Sequence, residues 1–341
     1  MKKLLSVALA FACVLAMATS SLAAAESPAE FYKKNKITLV VGSKPGGGSD
    51  IGGRLIAKFW NDVTGGEMLI KNMSGASGIV GLNYVTNSAK ADGLTMFMQM
   101  FGDCYLMSYL TKNPASRYDS TKLNYIAGCY IEPWAVVVNE KFKTLDDLKK
   151  AKKLRLGGMS RNSSGVFSSL ALLSILDLQG NIVTGYQSMA EAILAVGKGE
   201  LDLVVTPLTL AMQQASQGIV PQPWFLMLDK RDPAEPDMPV LTEFVDMTPE
   251  QRKVFDEMSF MSTSVRMAAM REGVDPERVK YVREAFARIE QLPAFREAVS
   301  KINRTGPGFL LGQDLDKFVS DCFALDITSI EKLLNTYCPL K

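Results

Sequence analysis

Residues 37–54 of this 341-residue chain have the sequence ITLVVGSKPGGGSDIGGR. Residues 37–41 form an apolar, β-branched run of the kind that predicts a buried strand. Three consecutive glycines follow, and the apolar positions beyond them recur with helical spacing in a helix that Ser49 or Asp50 can cap. A glycine loop between a strand and a helix lets the backbone approach a bound anion or make a tight turn. The segment predicts the start of an α/β fold.

The same unit recurs downstream. A second predicted strand at residues 68–70 leads into a loop of small residues at 74–78, and a third at residues 94–100 ends in the loop 101–103. Further strands are predicted at residues 135–138, 154–156, 182–183, 201–205 and 224–228. Strands that alternate with helices indicate an α/β protein with mostly parallel sheets flanked by helices.

The first 25 residues are predicted to be a secretory signal peptide. Lys2 and Lys3 precede an apolar run over residues 4–18, and residues 21–23 offer small side chains for cleavage. A competing interpretation makes Cys13 the acylated residue of a lipoprotein signal, but the apolar run continues past it. The run is shorter than the ~20 residues that span a bilayer. We therefore expect the mature chain to be exported to the periplasm.

Charge gives no indication of a nucleic-acid partner. The chain has 38 Lys and Arg residues and 36 Asp and Glu residues, and removal of Lys2 and Lys3 with the signal makes the two numbers equal. A nucleic-acid-binding protein would carry a basic excess or a basic face. Any bound anion must therefore be held by local groups, not by the field of the whole protein.

The chain contains no histidine. This absence removes Ser-His and Cys-His nucleophilic catalysis and the commonest zinc sites. Catalysis by carboxylates survives it, but no pair of acidic residues is placed in a way that indicates such chemistry. We therefore expect a protein that is not an enzyme and that needs no cofactor or metal.

Four cysteines remain beyond the predicted signal, namely Cys104, Cys129, Cys322 and Cys338. In an exported protein they can form disulfides, and three pairings are open. Cys322 and Cys338 are the favoured pair because they are close in sequence near the C-terminus. No Cys-x-x-Cys motif occurs, so a zinc ribbon or a thioredoxin-type site is not indicated.

The glycine loop at residues 46–48 has several interpretations. A P-loop would end in Gly-Lys-Ser/Thr, whereas Ser49 and Asp50 stand here. A dinucleotide fingerprint fails because Ile51 occupies the position of its third glycine. A carboxylate site, in which backbone N–H groups at a helix start reach an organic anion, and a plain tight turn remain. The similar loops after the next two strands favour the ligand site, because such loops converge at one sheet edge.

Two cations stand in candidate loops. Arg161, in a loop of Gly, Ser and Asn before an apolar helix, could hold a carboxylate bidentately or project into solvent. Lys44 has the same two possibilities. Tyr186 could pack in the core or face a cleft.

Four spaced segments resemble the periplasmic solute receptors of tripartite tricarboxylate transporters. They are LVV at 39–41 with PGGGSD at 45–50 and Arg54, KN at 71–72 with SGASG at 74–78, ADGLT at 91–95, and MPVLTEF at 238–244. Their order and spacing cover nearly the whole mature chain. The resemblance implies a two-lobed, type II periplasmic-binding-protein fold that closes on a carboxylate-bearing ligand. It also implies delivery to a membrane permease of one large and one small subunit.

The resemblance also implies where the ligand binds. One carboxylate would be held by the first two loops, and a second lobe would add a polar loop and a segment near Tyr186. The candidate ligand-binding residues are Ser43, Lys44, Pro45, Gly46, Gly47, Gly48, Ala76, Ser77, Gly102, Asp103, Ser160, Arg161, Asn162, Ser163, Tyr186 and Thr206. Because Lys44 is unusual in the first loop, Lys44 and Arg161 together suggest a ligand with more than one carboxylate.

The expected organisation is a signal peptide at residues 1–25, a first lobe at 26–130 and 231–341, and a second lobe at 131–230. A chain that crosses twice between lobes suits hinge closure. We expect a monomeric receptor for a small organic acid. The alternatives are a secreted enzyme with a carboxylate-based site and a receptor that feeds a sensor kinase.

Overall fold

The computed structural model describes residues 26–129, 132–261, 265–302 and 308–338. The predicted signal peptide, with Cys13, lies outside the described residues. The strands are β1 (Ile37–Val41), β2 (Met68–Asn72), β3 (Thr95–Met100), β4 (Asn124–Cys129), β5 (Trp134–Val138), β6 (Leu154–Gly158), β7 (Gly180–Thr184), β8 (Leu203–Pro207), β9 (Phe225–Leu226), β10 (Arg266–Met270) and β11 (Phe309–Leu310).

The helices flank the strands. They are α1 (Pro28–Lys34), α2 (Gly48–Thr64), α3 (Ile79–Asn87), α4 (Ser108–Leu110), α5 (Leu145–Lys150), α6 (Ser164–Ile175), α7 (Met189–Gly197), α8 (Leu208–Ser216), α9 (Pro249–Met261), α10 (Pro276–Gln291), α11 (Pro293–Ile302), α12 (Gly312–Phe323) and α13 (Thr328–Tyr337). Short 3₁₀ turns lie at Ala76–Gly78, Ser120–Lys122 and Leu241–Glu243, and a π-helical segment, Phe101–Met107, precedes α4.

The strands form two sheets. The first has the order β11-β4-β10-β3-β1-β2 and the second the order β7-β6-β8-β5-β9. In the first sheet β1 is parallel to β2 and β3, whereas β10 is antiparallel to β3 and β4. In the second, β6 is parallel to β7 and β8, and β5 is antiparallel to β8 and β9. The predicted α/β class is confirmed, but each sheet is mixed instead of mostly parallel, because β10 lies antiparallel between β3 and β4 and β5 lies antiparallel between β8 and β9.

The first sheet is covered by aromatic packing. Trp60 of α2 is fully buried between Tyr32 of α1 and Phe286 of α10, with ring centroids 6.0 and 6.4 Å away. The helix ends where Gly65 adopts a left-handed conformation, φ 69°, and donates its N–H to Asn61 O at 2.8 Å. These contacts fix α2 over β1 and so fix the loop before it.

The apolar helix α6 is the centre of the second half. All of its residues except Ser174 are buried, because β6 and β8 pack on it together with α9 and α13. Gln251 of α9 donates from Nε2 to Ile175 O at 3.1 Å. The strands of the two sheets follow the predicted lobes, but α9 and α13, expected with the first lobe, pack on this helix. The lobe boundaries themselves stay a prediction.

The four cysteines among the described residues are free thiols. Cys104, Cys129 and Cys322 are buried and Cys338 is half-buried. The expected pairing of Cys322 with Cys338 is therefore not formed. Closeness in sequence did not join them, since Cys322 packs into the core from α12 whereas Cys338 follows the last turn of α13. Among the described helices, none is both long and apolar enough to cross a membrane.

Candidate ligand-binding cleft

Loops of the two sheets meet around a cavity of about 400 Å³. The first sheet contributes the glycine loop after β1, the small-residue loop after β2 and the start of the π-helical segment after β3. The second sheet contributes the segment after β6 and the start of α7. The cavity thus lies beyond the carboxyl ends of the parallel strands, where α/β proteins commonly bind ligands.

Most of the candidate residues border this cavity. Those that line it are Ser43, Lys44, Pro45, Gly46, Gly47, Gly48, Ala76, Ser77, Asp103, Ser160 and Tyr186. Those that do not are Gly102, Arg161, Asn162, Ser163 and Thr206. Gly102 lies within the buried π-helical segment, and Thr206 is fully buried in β8.

Arg161 faces away from the cavity. Its Nε donates to Cys338 O at 2.8 Å and its Nη2 donates to Asn335 Oδ1 at 3.0 Å, so it holds the C-terminal helix against the loop. Neighbouring Asn162 donates to Thr111 Oγ1 at 3.0 Å, and Ser163 Oγ donates to Ser160 O at 2.8 Å. The hypothesis that Lys44 and Arg161 together match several carboxylates therefore loses one of its two cations.

The three glycines serve three different needs. Gly46 has φ +81°, a left-handed conformation that favours glycine. Gly47 is the N-cap of α2. A Cβ on Gly48 would lie 2.6 Å from Arg266 Nη2, so a larger residue would displace this guanidinium from the helix start.

The N–H groups of the first two glycines already have partners within the protein. Gly46 N donates to Asp50 Oδ2 at 2.9 Å and Gly47 N donates to Lys44 O at 3.1 Å. The backbone N–H groups left to reach a carboxylate at this helix start are therefore not those of Gly46 and Gly47. An α-helix cannot satisfy the N–H groups of its own first turn, and in α2 those belong to Gly48 and the residues after it.

Asp50 holds the loop together. It is buried, and its carboxylate accepts hydrogen bonds from Arg54 Nε at 2.9 Å and from Asn72 Nδ2 at 2.9 Å, besides that from Gly46. Burial raises the pKa of Asp50, but these hydrogen bonds outweigh burial and place the pKa below its ordinary value. The Asp50 carboxylate therefore fixes the geometry of the glycine loop.

The loop after β2 is strained. Ala76 and Ser77 have φ of 46° and 53°, and they stand between Gly75 and Gly78, whose φ values are also positive. Left-handed backbone costs a residue with a side chain roughly 1–2 kcal/mol. Strain of this kind, at a cavity, is typical of functional loops.

The two lobes touch across the cavity. Ser77 Oγ lies 2.7 Å from Ser160 Oγ, which joins the strained loop to the second sheet. Asp103 Oδ1 accepts from both the N–H and the Oγ of Ser164, each at 2.8 Å, at the first turn of α6. Burial raises the pKa of Asp103 to about 6, although the hydrogen bonds from Ser164 act in the opposite direction.

Arg266 brings a buried cation to the same cavity. It is 9% exposed, and its Nη2 donates to Glu132 Oε1 at 3.1 Å. Glu132 is buried too, and its Oε2 accepts from Thr209 N at 2.9 Å. A second cavity, of about 500 Å³, shares Gly46, Gly48, Leu210 and Arg266 with the first and extends along α8.

The model of the tripartite tricarboxylate transporter family receptor, TctC, matches residues 51–334 of this chain. The chain belongs to this receptor family. One curated relative, the UPF0065 protein in the gbd 5' region of Cupriavidus necator, is 24% identical over 331 residues, which cover 94% of this chain and 95% of the relative.

Solved structures share the fold. The periplasmic binding protein BugD has a TM-score of 0.70 and 18% identity, covering 89% of this receptor and 97% of BugD. MatC from Rhodopseudomonas palustris with bound malate has a TM-score of 0.69 and 19% identity, covering 88% of this receptor and 98% of MatC. Rpa4515 of R. palustris with adipate has a TM-score of 0.72 and 20% identity, covering 89% of this receptor and 97% of Rpa4515. The two-lobed type II periplasmic-binding-protein fold is thereby confirmed.

Several lining residues of this receptor were not predicted. Arg266, Gln99, Trp134 and Leu210 all line the cavity. Gln99 accepts from Ser49 Oγ at 2.6 Å, which ties β3 to the start of α2. The sequence contains one indication that Arg266 has a special role, since it is a charged residue at the start of the segment 266–270, which is otherwise apolar. The other three lie in segments that look like ordinary core.

The strain at Ala76 gives a test. Replacing Ala76 with glycine is expected to raise the free energy of unfolding by about 0.5–1 kcal/mol, because glycine relieves the left-handed strain and the side chain is exposed. Ala287→Gly, in the middle of α10, is the control and should lower it by about 1 kcal/mol. Urea unfolding of both variants measures the difference. Equal losses in the two variants would show that Ala76 is not strained.

Proposed function

We propose that this receptor is exported to the periplasm, binds a small carboxylate-bearing organic acid as a monomer, and delivers it to a membrane permease of one large and one small subunit. The observation that carries the proposal is the convergence of three features at one cavity: the first turn of α2, the strained Ala76–Ser77 pair and the Lys44 side chain. Each of them favours an anion. Family membership and the malate and adipate of the two related structures support the same ligand class.

The ligand carboxylate binds at the start of α2. Its oxygens accept from the first-turn N–H groups of Gly48 and Ser49 and from the loop at Ala76 and Ser77. Lys44 approaches from the solvent side and Arg266 from the protein side, next to Gly48. A helix N-terminus and oriented backbone N–H groups hold an anion without an excess of basic residues, which fits the balanced charge of the mature chain.

Closure of the lobes follows from the same geometry. The ligand touches the first lobe at α2 and the second lobe near Ser160 and Tyr186 only when the two lobes are in contact. A ligand that contacts both lobes binds the closed arrangement more tightly than the open one, and it stabilises the closed arrangement by that difference in affinity. The closed receptor is then the form that a permease can distinguish from the free receptor.

A thermal-shift screen of the mature chain, residues 26–341, tests the ligand class. The panel contains mono-, di- and tricarboxylates, aromatic acids and neutral sugars. An acid present at 100 times its dissociation constant should stabilise the receptor by about 2.7 kcal/mol and raise the melting temperature by a few degrees. Recovery of the unchanged acid after incubation would separate binding from turnover.

The variant Lys44→Met tests the contribution of the Lys44 charge to binding of the acid. Loss of a charge-assisted contact is expected to weaken binding of the acid roughly ten-fold. Lys149→Met, an exposed lysine of α5, is the control and should leave binding unchanged. The proposal fails if a neutral sugar raises the melting temperature and no acid does.

A further inference from the structure

The helix start in the second lobe already holds a carboxylate of the protein. Asp103, from the π-helical segment after β3, reaches α6 and accepts from both the N–H and the hydroxyl group of Ser164, each at 2.8 Å. Its side chain is buried and lines the cavity. The N-terminus of a helix favours one anion at this position, and Asp103 supplies it.

The other polar groups of the second-lobe loop are committed as well. Arg161 donates to the C-terminal helix, and Asn162 donates to Thr111 of the first lobe. Ser163 Oγ donates to Ser160 O within the loop. A second ligand carboxylate would be expected to accept hydrogen bonds from these groups of the second lobe. They instead contact the protein itself.

The charges around the cavity are balanced before a ligand enters. The charged residues among its described lining are Lys44, Asp103 and Arg266. Arg266 forms an ion pair with buried Glu132, so the two cations face two carboxylates. Much of the remaining wall is apolar or aromatic, with Trp134, Met159, Tyr186, Met189 and Leu210 among its members.

We propose that Asp103 takes the place of a second ligand carboxylate, so that this receptor selects acids with one carboxylate and an uncharged body over dicarboxylates. The inference rests on the proposed function, because it assumes that a carboxylate binds at the start of α2. A dicarboxylate would bring its second charge to a wall where Asp103 already stands, and like charges at close range in a buried site repel strongly. This selectivity would distinguish the receptor from the two relatives whose structures hold malate and adipate.

Matched acids measure the effect. Titration calorimetry on the mature receptor compares butanoate with succinate, hexanoate with adipate and benzoate with terephthalate, so that each pair differs by one carboxylate. In the pair that binds, the monocarboxylate is expected to bind at least ten-fold more tightly. The zwitterion of 4-aminobutanoic acid, which carries a positive charge at its far end, should bind at least as well as butanoate. A dicarboxylate that binds as tightly as its monocarboxylate partner overturns the inference.

Two variants assign the selectivity to Asp103. Asp103→Ser frees the start of α6 and removes the charge, so the affinity for the dicarboxylate should rise at least ten-fold while that for the monocarboxylate changes less than three-fold. Asp103→Asn keeps the shape and an acceptor for Ser164, so the dicarboxylate should gain less. Asp146→Asn, an exposed carboxylate on α5, is the control and should leave every ratio unchanged.

The outcomes separate the two proposals. One outcome is that the unmodified receptor prefers monocarboxylates and that both Asp103 variants, each with a cooperative melting transition, keep that preference. This result overturns the role of Asp103 while the receptor function stands. Binding of dicarboxylates with no preference for monocarboxylates does the same. If no acid of either kind binds and a neutral solute does, the proposed function itself fails.

Discussion

Replacing Glu132 with alanine should lower the free energy of unfolding by about 3–5 kcal/mol. The Glu132 side chain is 2% exposed and that of its partner Arg266 is 10% exposed, so the pair is almost entirely removed from water. The substitution leaves the Arg266 guanidinium buried without the carboxylate that accepts from its Nη2. Removal of one partner of a buried pair costs far more than the pair contributes, because the remaining charge is poorly solvated.

A surface ion pair provides the control. Lys317 and Asp321 lie 2.7 Å apart with side chains 75% and 46% exposed, so Asp321→Ala should cost less than about 1 kcal/mol. Guanidinium unfolding of the mature chain compares the two variants. The double variant Glu132→Met/Arg266→Met should lose less stability than the sum of the losses in Glu132→Met and Arg266→Met, since it buries no lone charge. Equal losses of unfolding free energy in Glu132→Ala and Asp321→Ala would mean that the Glu132–Arg266 pair is solvated.

Joining Ser77 and Ser160 through a disulfide should lock the lobes. Their Oγ atoms are 2.7 Å apart across the cavity, so cysteines at these positions would bring two sulfur atoms together. The bond would close a loop of 83 residues, which stabilises the folded chain by about 4–5 kcal/mol in the chain-entropy model. With the lobes joined, we expect acid dissociation to slow by roughly two orders of magnitude or more.

The experiment loads Ser77→Cys/Ser160→Cys with an acid, oxidises it and follows release of the acid after dilution. Reduction of the disulfide should restore the original rate, and the single variants Ser77→Cys and Ser160→Cys should release at that rate throughout. All variants carry Cys338→Ser, because Cys338 is half-buried and its carbonyl accepts from Arg161 beside position 160, whereas Cys104, Cys129 and Cys322 are buried. Unchanged release from the oxidised double variant would show that ligand exchange does not require separation of these loops.

Local patterns were enough to predict the strand, loop and helix units. The apolar run at Ile37–Val41 and the glycine loop after it determine β1 and the start of α2, because both depend on residues close in sequence. The same holds for the small-residue loop with Ala76 and Ser77. Eleven of the candidate residues line the cavity for this reason, since parallel strands bring their following loops to one edge.

Long-range pairs were not predictable in the same way. Arg266 meets Glu132 across 134 residues of sequence, and Asp103 meets Ser164 across 61. Neither pair leaves a periodic pattern, because tertiary packing alone brings the partners together. Arg161 was assigned to the cavity because its loop is polar, but the helix that it contacts, α13, comes 174 residues later. The mixed first sheet arises similarly, from the late insertion of β10 between β3 and β4.

We propose that this receptor recognises an anionic carboxylate at the start of α2. Titration calorimetry of the mature chain with the acid that gives the largest thermal shift, and with the primary amide of that acid, tests it most directly. The amide keeps the size and shape but lacks the charge, so it should bind roughly ten- to 100-fold more weakly, as expected for loss of charge-assisted hydrogen bonds. An amide that binds as tightly as its acid would contradict the claim, and the cavity would then recognise its ligand by shape alone.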